Sequence, residues 1–224
     1  RESWQLPYGY TQRALVRPGR WWSRDNHALE MAASRQVGKP FTVSEYDHVF
    51  PNRHRSEAGL VFGGIAALQD WDGVVQFTYG SDPKSLWEGD FPAKPFDKVN
   101  EPIGLATEAQ LRFLYLRGDL KPAPAMVELF APAEQVATSD WTLGPEADLL
   151  AFVTRTGLNL GVAPTPGATI LPIHAQADGG PAALPRSKSG ELADLAAWFT
   201  SVKDRILPPG NRSDPAQGLM ESAT

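Results

Sequence analysis

The first regular pattern in the chain is a short apolar run that ends abruptly in polar residues. Residues 41–43, Phe-Thr-Val, are the aromatic and β-branched types that favour strands, and Gly38 and Pro40 mark the start of the run. The run stops before Glu45, which puts a carboxylate at the carboxyl end of the predicted strand. We therefore predict a short buried strand with Glu45 at its end.

A second strand is predicted at residues 74–79, Val-Val-Gln-Phe-Thr-Tyr, after the turn Asp70-Trp-Asp-Gly73. Between the two strands, Ser56 is a suitable cap for a helix that runs from Glu57 to about Gln69. A strand, a helix and a strand within about 40 residues form a right-handed parallel crossover unit. The pattern thus predicts an α/β fold in which the two strands are parallel neighbours.

Further helices are predicted on either side of this unit. One is capped by Asp25 or Asn26, and another opens at the capping-box pattern Thr107-Glu-Ala-Gln110. The connection between residues 80 and 102 is rich in Gly, Pro and Asp and is long for a simple connector. We expect it to lie over the same edge of the fold as the loop after Glu45.

The pattern changes after Asp119, where the alternation of helices and strands gives way to predicted strands. Residues 121–124, Lys-Pro-Ala-Pro, are typical of a linker. We therefore divide the chain into residues 1–118 and a β-rich appendage, residues 119–224. Few contacts are expected to cross the boundary between them.

Within the appendage, strands are predicted at residues 126–130 and 149–154, and a Gly- and Pro-punctuated β segment at 158–173. Residues 192–206 have the apolar spacing of one amphipathic helix. The polar residues from Pro208 onwards are expected to form a disordered tail.

The composition excludes several classes of function but does not identify one. The chain has 224 residues, an apolar fraction of 42% and a formal charge of -5 without a basic stripe, so nucleic acid is not an expected partner. No apolar run reaches the roughly 20 residues that cross a bilayer, so no membrane partner is expected. Zero cysteines exclude disulfides, thiol catalysis and cysteine-bound zinc. We interpret the start at Arg1, without a methionine or a leader, as a cut end.

The polar side chains concentrate in the loop that follows Glu45. Asp47, His48 and His54 are one candidate metal group, although the strand-end His-x-His spacing of barrel metallohydrolases is absent. A strand-end glutamate is also commonly a helix cap or an ion-pair partner, and a loop histidine is commonly only a hydrogen bonder. Seven tryptophans supply flat faces on which sugar rings stack, although core packing uses most tryptophans in most proteins.

The order of these segments resembles a known family. The run Gly38–Tyr46, then Pro51-Asn52, then Ala67–Gly73 leading into Phe77-Thr-Tyr79, is similar to strands seven and eight of the clan A retaining glycoside hydrolases, including the cellulase-like family 5 relatives. Residues 96–119 resemble the eighth helix of these proteins, which a β-sandwich appendage follows. The resemblance implies an α/β fold with a partial (β/α)8 TIM barrel, namely strands seven and eight with flanking helices, plus a β-sandwich-like segment.

The resemblance also implies residue roles. Glu45 matches the glutamate that ends strand seven and acts as the nucleophile, and Phe77 or Tyr79 matches the aromatic residue that lines the sugar site. The other side chains expected to contact the carbohydrate substrate or to keep Glu45 ionised are Tyr46, His48, Asn52 and Trp87. The implied reaction is hydrolysis of an O-glycosidic bond by retaining double displacement, without a metal or a cofactor. An extracellular or periplasmic location is implied as well.

The chain departs from the family pattern in its second carboxyl group. In this family the general acid/base is a glutamate after an asparagine at the end of strand four, and no such pair precedes Glu45. The one Asn-Glu pair, Asn100-Glu101, lies in the long connection before Pro102. We therefore expect the acid/base to lie outside this chain, in a missing N-terminal part of the barrel that would be its partner. The alternative is a non-catalytic carbohydrate-binding or scaffold module.

Overall fold

The computed structural model describes residues 27–88, 95–138, 143, 145–173, 192–217 and 221. Within these ranges the chain is a mixed α/β protein with two small parallel sheets, one of two strands and one of three. The predicted α/β class is confirmed at this level. The described residues form no closed eight-stranded barrel. In the same part of the chain, every helix is too short or too polar to span a bilayer.

In chain order, the helices and strands are α1 (His27–Ser34), β1 (Thr42–Tyr46), α2 (Gly63–Leu68), β2 (Gly73–Gln76), α3 (Pro83–Trp87), α4 (Pro102–Leu111), β3 (Met126–Phe130), α5 (Ala133–Thr138), α6 (Pro145–Ala151), β4 (Arg155–Asn159), β5 (Thr169–Pro172) and α7 (Leu192–Ile206). Two π-helical segments adjoin these helices, Ala58–Phe62 directly before α2 and Arg112–Leu116 directly after α4. A 3-10 turn, Pro215–Gln217, lies near the end of the chain.

The first sheet consists of β1 and β2, which are parallel neighbours as predicted. Its ladder is irregular, because the pairing advances from Val43–Val74 to Tyr46–Gln76, so three steps along β1 match two along β2. The extra residue is a β-bulge, a feature that redirects side chains. Val43 and Tyr46 are buried, whereas the two residues between them, the second of which is Glu45, are both exposed.

Helix α4 starts earlier than its sequence pattern predicts. The predicted capping box at Thr107 is wrong, because the helix begins at Pro102 and Thr107 lies inside it. The cap is the carboxylate of Glu101, which accepts hydrogen bonds from the backbone N–H groups of Ile103 at 3.3 Å and Gly104 at 2.5 Å. Proline in the first turn and an acidic cap at the N-terminus are both typical of helix starts.

The second sheet has the strand order β4–β3–β5, with all strands parallel. On one face, Val127, Leu129 and Leu171 are fully buried in a cluster that includes Leu150 of α6 and Phe199 of α7. Helices on a parallel sheet are the expected arrangement. The predicted β-sandwich-like segment is therefore wrong for the described residues after 119, because a sandwich consists of two facing antiparallel sheets.

The clearest error within this region is the prediction for residues 149–154. They were expected to form a strand, yet they form the end of α6 and the turn that leads into β4. Leu149, Leu150 and Ala151 are all buried, so this end of the helix lacks a polar face. Periodicity alone does not separate such a helix end from a buried strand.

Of the two predictions for the C-terminal part of the chain, the helix is confirmed and the disordered tail is wrong for the described residues. Helix α7 has the predicted limits, Leu192–Ile206. The segment after Pro208, expected to be disordered, instead contains a 3-10 turn and an ion pair of 2.7 Å between Arg212 and Glu221. Ser213 lies in the same segment and is buried.

Packing is continuous across the proposed boundary at residue 118. Ala33 of α1 belongs to the buried cluster of the three-stranded sheet, and Ala151 of α6 belongs to the cluster beneath the two-stranded sheet. The backbone N–H of Val37 also donates to the carbonyl oxygen of Leu158 at 2.9 Å. The expectation of few contacts across the boundary does not hold, whereas the position of the boundary stays a prediction.

Candidate functional site

Glu45 lies on the open face of the two-stranded sheet, at its carboxyl end. The bulge in β1 exposes this side chain, and the carboxylate makes no hydrogen bond or ion pair with another described residue. Val75, opposite the bulge, is 57% exposed, which is high for a β-branched residue in a parallel strand. The carboxylate is therefore accessible to a ligand that approaches this face.

Two predicted aromatic residues lie at the same end of the sheet. The chain leaves β2 through Phe77 and Tyr79, whose side chains are 44% and 56% exposed. The backbone N–H of Phe77 donates to the carbonyl oxygen of Tyr46 at 3.0 Å, which joins the two strand ends directly. We call Phe77 and Tyr79 the aromatic pair. The structure thus brings Glu45 and the aromatic pair to one edge, as the sequence predicts.

Trp87, the third predicted aromatic contact, lies at the end of α3. Its side chain is 84% exposed, the highest value among the large apolar residues of the described part. Helix α3 follows the aromatic pair by only a few residues. Trp87 is therefore available for a ligand, although no hydrogen bond or ring contact with another described residue holds its ring toward Glu45.

Tyr46 occupies a different place from the predicted one. Only 4% of the residue is exposed, its hydroxyl donates to the carbonyl oxygen of Ala58 at 3.1 Å, and its ring stacks on Phe62 with centroids 3.5 Å apart. Burial raises the pKa of the Tyr46 hydroxyl well above its ordinary value. This position supports a role for Tyr46 in the core. It does not support a direct contact between Tyr46 and a sugar.

His48 and Asn52 are also buried, each with only 2% of its surface exposed, and they contact each other. The side-chain oxygen of Asn52 accepts from the backbone N–H of His54 at 2.8 Å, so its amide nitrogen faces Nδ1 of His48 at 3.3 Å. Nδ1 is then the acceptor, and Nε2 carries the proton. Burial lowers the pKa of His48 to about 4, so the ring is neutral near pH 7.

Asp47 forms a buried ion pair with Lys98, a residue that the sequence pattern did not single out. The ammonium group of Lys98 donates to Oδ1 of Asp47, and the two side chains are only 5% and 3% exposed. The same oxygen accepts the backbone N–H of His48 at 2.7 Å. Burial raises the pKa of Asp47 to about 6, although the Lys98 ammonium opposes that shift.

Two other acidic side chains near this loop, Glu101 and Glu57, contact an arginine and a histidine. The carboxylate of Glu101 caps α4 and lies 3.3 Å from the guanidinium of Arg55, with 5% of the side chain exposed. Glu57 lies 3.6 Å from Nδ1 of His54. Neither arrangement leaves the carboxyl group available as a general acid for Glu45.

The predicted metal candidates Asp47, His48 and His54 are not brought together. Asp47 faces Lys98, His48 faces Asn52, and Nε2 of His54 accepts from Arg53 at 3.0 Å. Throughout the described ranges, no three His, Asp or Glu side chains are arranged to hold a metal ion. The chemistry available at this edge is that of a carboxylate and aromatic surfaces.

A separate cavity of about 380 Å³ lies at the carboxyl end of the three-stranded sheet. It is lined by Phe130, Asn159, Gly161, Val162, Pro164, Ile170 and Pro172. The amide of Asn159 donates to buried Glu128 at 2.7 Å and accepts from the N–H groups of Gly161 and Val162 at 2.9 Å. Because these polar groups are already satisfied within the protein, the cavity offers mainly apolar contact.

Comparison of the chain with protein-family models, with curated proteins and with solved structures found no match. The geometry at the end of β1 and β2 and the sequence resemblance are therefore the features that bear on function.

Proposed function

We propose that this chain is the C-terminal part of a retaining glycoside hydrolase, with Glu45 as the nucleophile. The observation that carries the proposal is the β-bulge in β1, which leaves the Glu45 carboxylate exposed at the same strand end as the aromatic pair. In barrels of parallel strands, catalytic groups occupy those ends. The resemblance to strands seven and eight of the clan A enzymes supports the same assignment.

The proposal includes a partial (β/α)8 barrel in which β1 and β2 are strands seven and eight. Parallel strands are normally buried on both faces, yet Val75 is 57% exposed on the face that carries Glu45. In a complete barrel that face would be the packed interior. The exposure of Val75 therefore supports the presence of further strands in the complete enzyme.

The proposed reaction needs two carboxyl groups about 5–5.5 Å apart. Glu45 attacks the anomeric carbon, the bond to the leaving oxygen breaks, and a second carboxyl group protonates that oxygen. Water then displaces Glu45 from the sugar, with the second group acting as base. Because Glu57 contacts His54 and Glu101 contacts Arg55, we assign the acid/base to a part of the enzyme outside this chain.

The aromatic pair suits a carbohydrate substrate, because exposed rings provide flat apolar faces for the C–H groups of a sugar. In the proposal, Trp87 adds a third such face. His48 and Asn52, which are buried, support the loop after β1 and do not contact the sugar.

The test is the turnover of Glu45→Gln on an aryl glycoside, measured in the complete enzyme. We expect a loss of roughly 10³-fold or more with sugar affinity largely kept, since the change removes the nucleophile and keeps its shape. Glu30→Gln, an exposed glutamate on α1, is the matched control and should leave turnover unchanged. Unchanged turnover in Glu45→Gln would exclude Glu45 as the nucleophile.

The second candidate is a non-catalytic carbohydrate-binding module. It is favoured by the exposure of Phe77, Tyr79 and Trp87 and by the contacts that already engage Glu57 and Glu101 within the chain. Sugar binding that is lost in Tyr79→Ala, without turnover in any complete form of the protein, would select this candidate.

A further inference from the structure

We infer that Lys98 is a positioning residue of the proposed active site. It ties the loop that follows Glu45 and β1 to the loop that carries the aromatic pair. The inference rests on the proposed function for the chemistry that Lys98 serves. The tie itself consists of the contacts that one residue makes with two loops.

Lys98 lies between α3 and α4, and its backbone is hydrogen-bonded to the loop after β2. Its N–H lies 3.2 Å from the carbonyl oxygen of Thr78 and 3.1 Å from that of Tyr79, and the N–H of Val99 donates to Tyr79 at 2.9 Å. In return, the N–H of Thr78 donates to the carbonyl oxygen of Phe96 at 3.1 Å. Residues 96–99 are thus hydrogen-bonded along this loop, so Lys98 moves with Tyr79.

The side chain of Lys98 reaches the other loop. Its ammonium donates to Asp47, which lies two residues after Glu45 in the chain. The stem of Lys98 packs against Gly104 of α4, where an added Cβ would lie 3.3 Å from Cγ of Lys98. The Lys98 side chain thus packs against α4 on its way to Asp47, and this packing limits its freedom to shift.

Stability alone does not explain this pair. Removing two charges from water costs about as much as their attraction returns, and an apolar pair of similar volume is often as stable. A buried ion pair does fix the geometry of its contact, because the ammonium and the carboxylate must stay within hydrogen-bond distance of each other. We therefore assign to Lys98 the relative placement of Glu45 and the aromatic pair.

The test variant is the double substitution Asp47→Asn with Lys98→Met. It leaves no unpaired buried charge, and the asparagine oxygen still accepts the N–H of His48. Lys98→Met alone would leave the Asp47 carboxylate without its ammonium, and loss of folding would then obscure the result. We expect the double variant to melt within a few degrees of the wild type.

In the complete enzyme, the double variant should lose at least about tenfold in kcat, because small displacements of reacting groups are costly. KM should change by less than about twofold, since the backbone bonds from residues 96–99 still hold the aromatic pair. A purely structural role would leave kcat unchanged at unchanged stability. The control is Asp70→Asn with Arg155→Gln, an ion pair of 3.5 Å between the turn before β2 and the start of β4, and it should leave kcat unchanged.

Hydrogen exchange on the chain itself gives a second readout. The amides of residues 46–50 should exchange at least about tenfold faster in the double variant, with α7 unchanged. Unchanged exchange there, or unchanged kcat in a variant of wild-type stability, would overturn the role of Lys98. If Glu45→Gln keeps full turnover, the proposed function fails instead, and the exchange result still tests the tie.

Discussion

The side chain of Gln69 donates a hydrogen bond of 2.6 Å to the backbone carbonyl oxygen of Thr154, 85 residues further along the chain. The same amide nitrogen donates to Ala151 at 2.8 Å, and the amide oxygen accepts the N–H of Thr156 at 2.8 Å. Gln69 ends α2 and is fully buried. One side chain thus connects the helix behind the two-stranded sheet to the start of β4.

Replacing Gln69 with methionine should destabilise the fold strongly. Methionine has a similar volume, but the three backbone groups at Ala151, Thr154 and Thr156 each lose a hydrogen-bond partner inside the protein. We expect the free energy of unfolding in urea to fall by about 3 kcal/mol or more. The matched control, Gln36→Met, changes an exposed side chain and should stay within about 0.5 kcal/mol. A loss below about 1 kcal/mol for Gln69→Met would contradict the bridging role.

Gln69 illustrates what the sequence predicts and what it does not. The apolar spacing and the turn residues predict that a helix ends near Gln69 and that a parallel strand follows, and both features are present. The partners of its amide lie in a region whose helix was mistaken for a strand. Local patterns carry no information on which distant backbone groups a buried amide will meet.

The candidate site shows the same limit. The strand-end position of Glu45 is visible in the sequence, whereas its exposure depends on a bulge that exists only in the register with β2. Lys98 lies in a loop without a periodic sequence pattern. Nothing in the sequence therefore indicates that its side chain contacts Asp47. Tyr46 was expected to contact the substrate or Glu45, because the sequence does not reveal the register that turns its side chain inward.

A close approach between helices gives the next prediction, in which two glycine substitutions have opposite signs. A Cβ on Gly59 would lie 1.8 Å from the carbonyl oxygen of Thr107 on α4, so Gly59→Ala should cost at least about 2 kcal/mol. At Gly64 the nearest atom is 3.9 Å away, on Leu120. Gly64→Ala should therefore stabilise by up to about 1 kcal/mol, because alanine favours helix. Thermal or urea unfolding measures both, and equal effects would disprove this contact of α2 and its preceding turn with α4.

The last prediction concerns pH, because Asp47 and His48 are neighbours whose pKa values are shifted in opposite directions. Burial raises the pKa of Asp47 from 3.8 to about 6, so between these values the folded state binds more protons than the unfolded state. The stability that Asp47 contributes therefore grows as the pH falls through this range. Burial lowers the pKa of His48 from 6.5 to about 4, so its contribution is lost as the pH falls through that window.

The two contributions oppose each other between about pH 4 and 6, each with a slope of at most about 1.4 kcal/mol per pH unit. Relative to the wild type, Asp47→Asn should therefore lose stability on acidification from pH 6 to 4, whereas His48→Gln should gain it. Urea unfolding across this range measures the difference, in which titrations common to both proteins cancel. The wild type also loses the Lys98 ion pair as Asp47 becomes protonated, so the contribution of this pair is already contained in the pKa of Asp47 and the slope is the diagnostic quantity. The control is Asp204→Asn, an exposed site on α7, whose stability should change with pH in parallel with that of the wild type. If the stability of Asp47→Asn also runs parallel to that of the wild type, Asp47 does not titrate in this range.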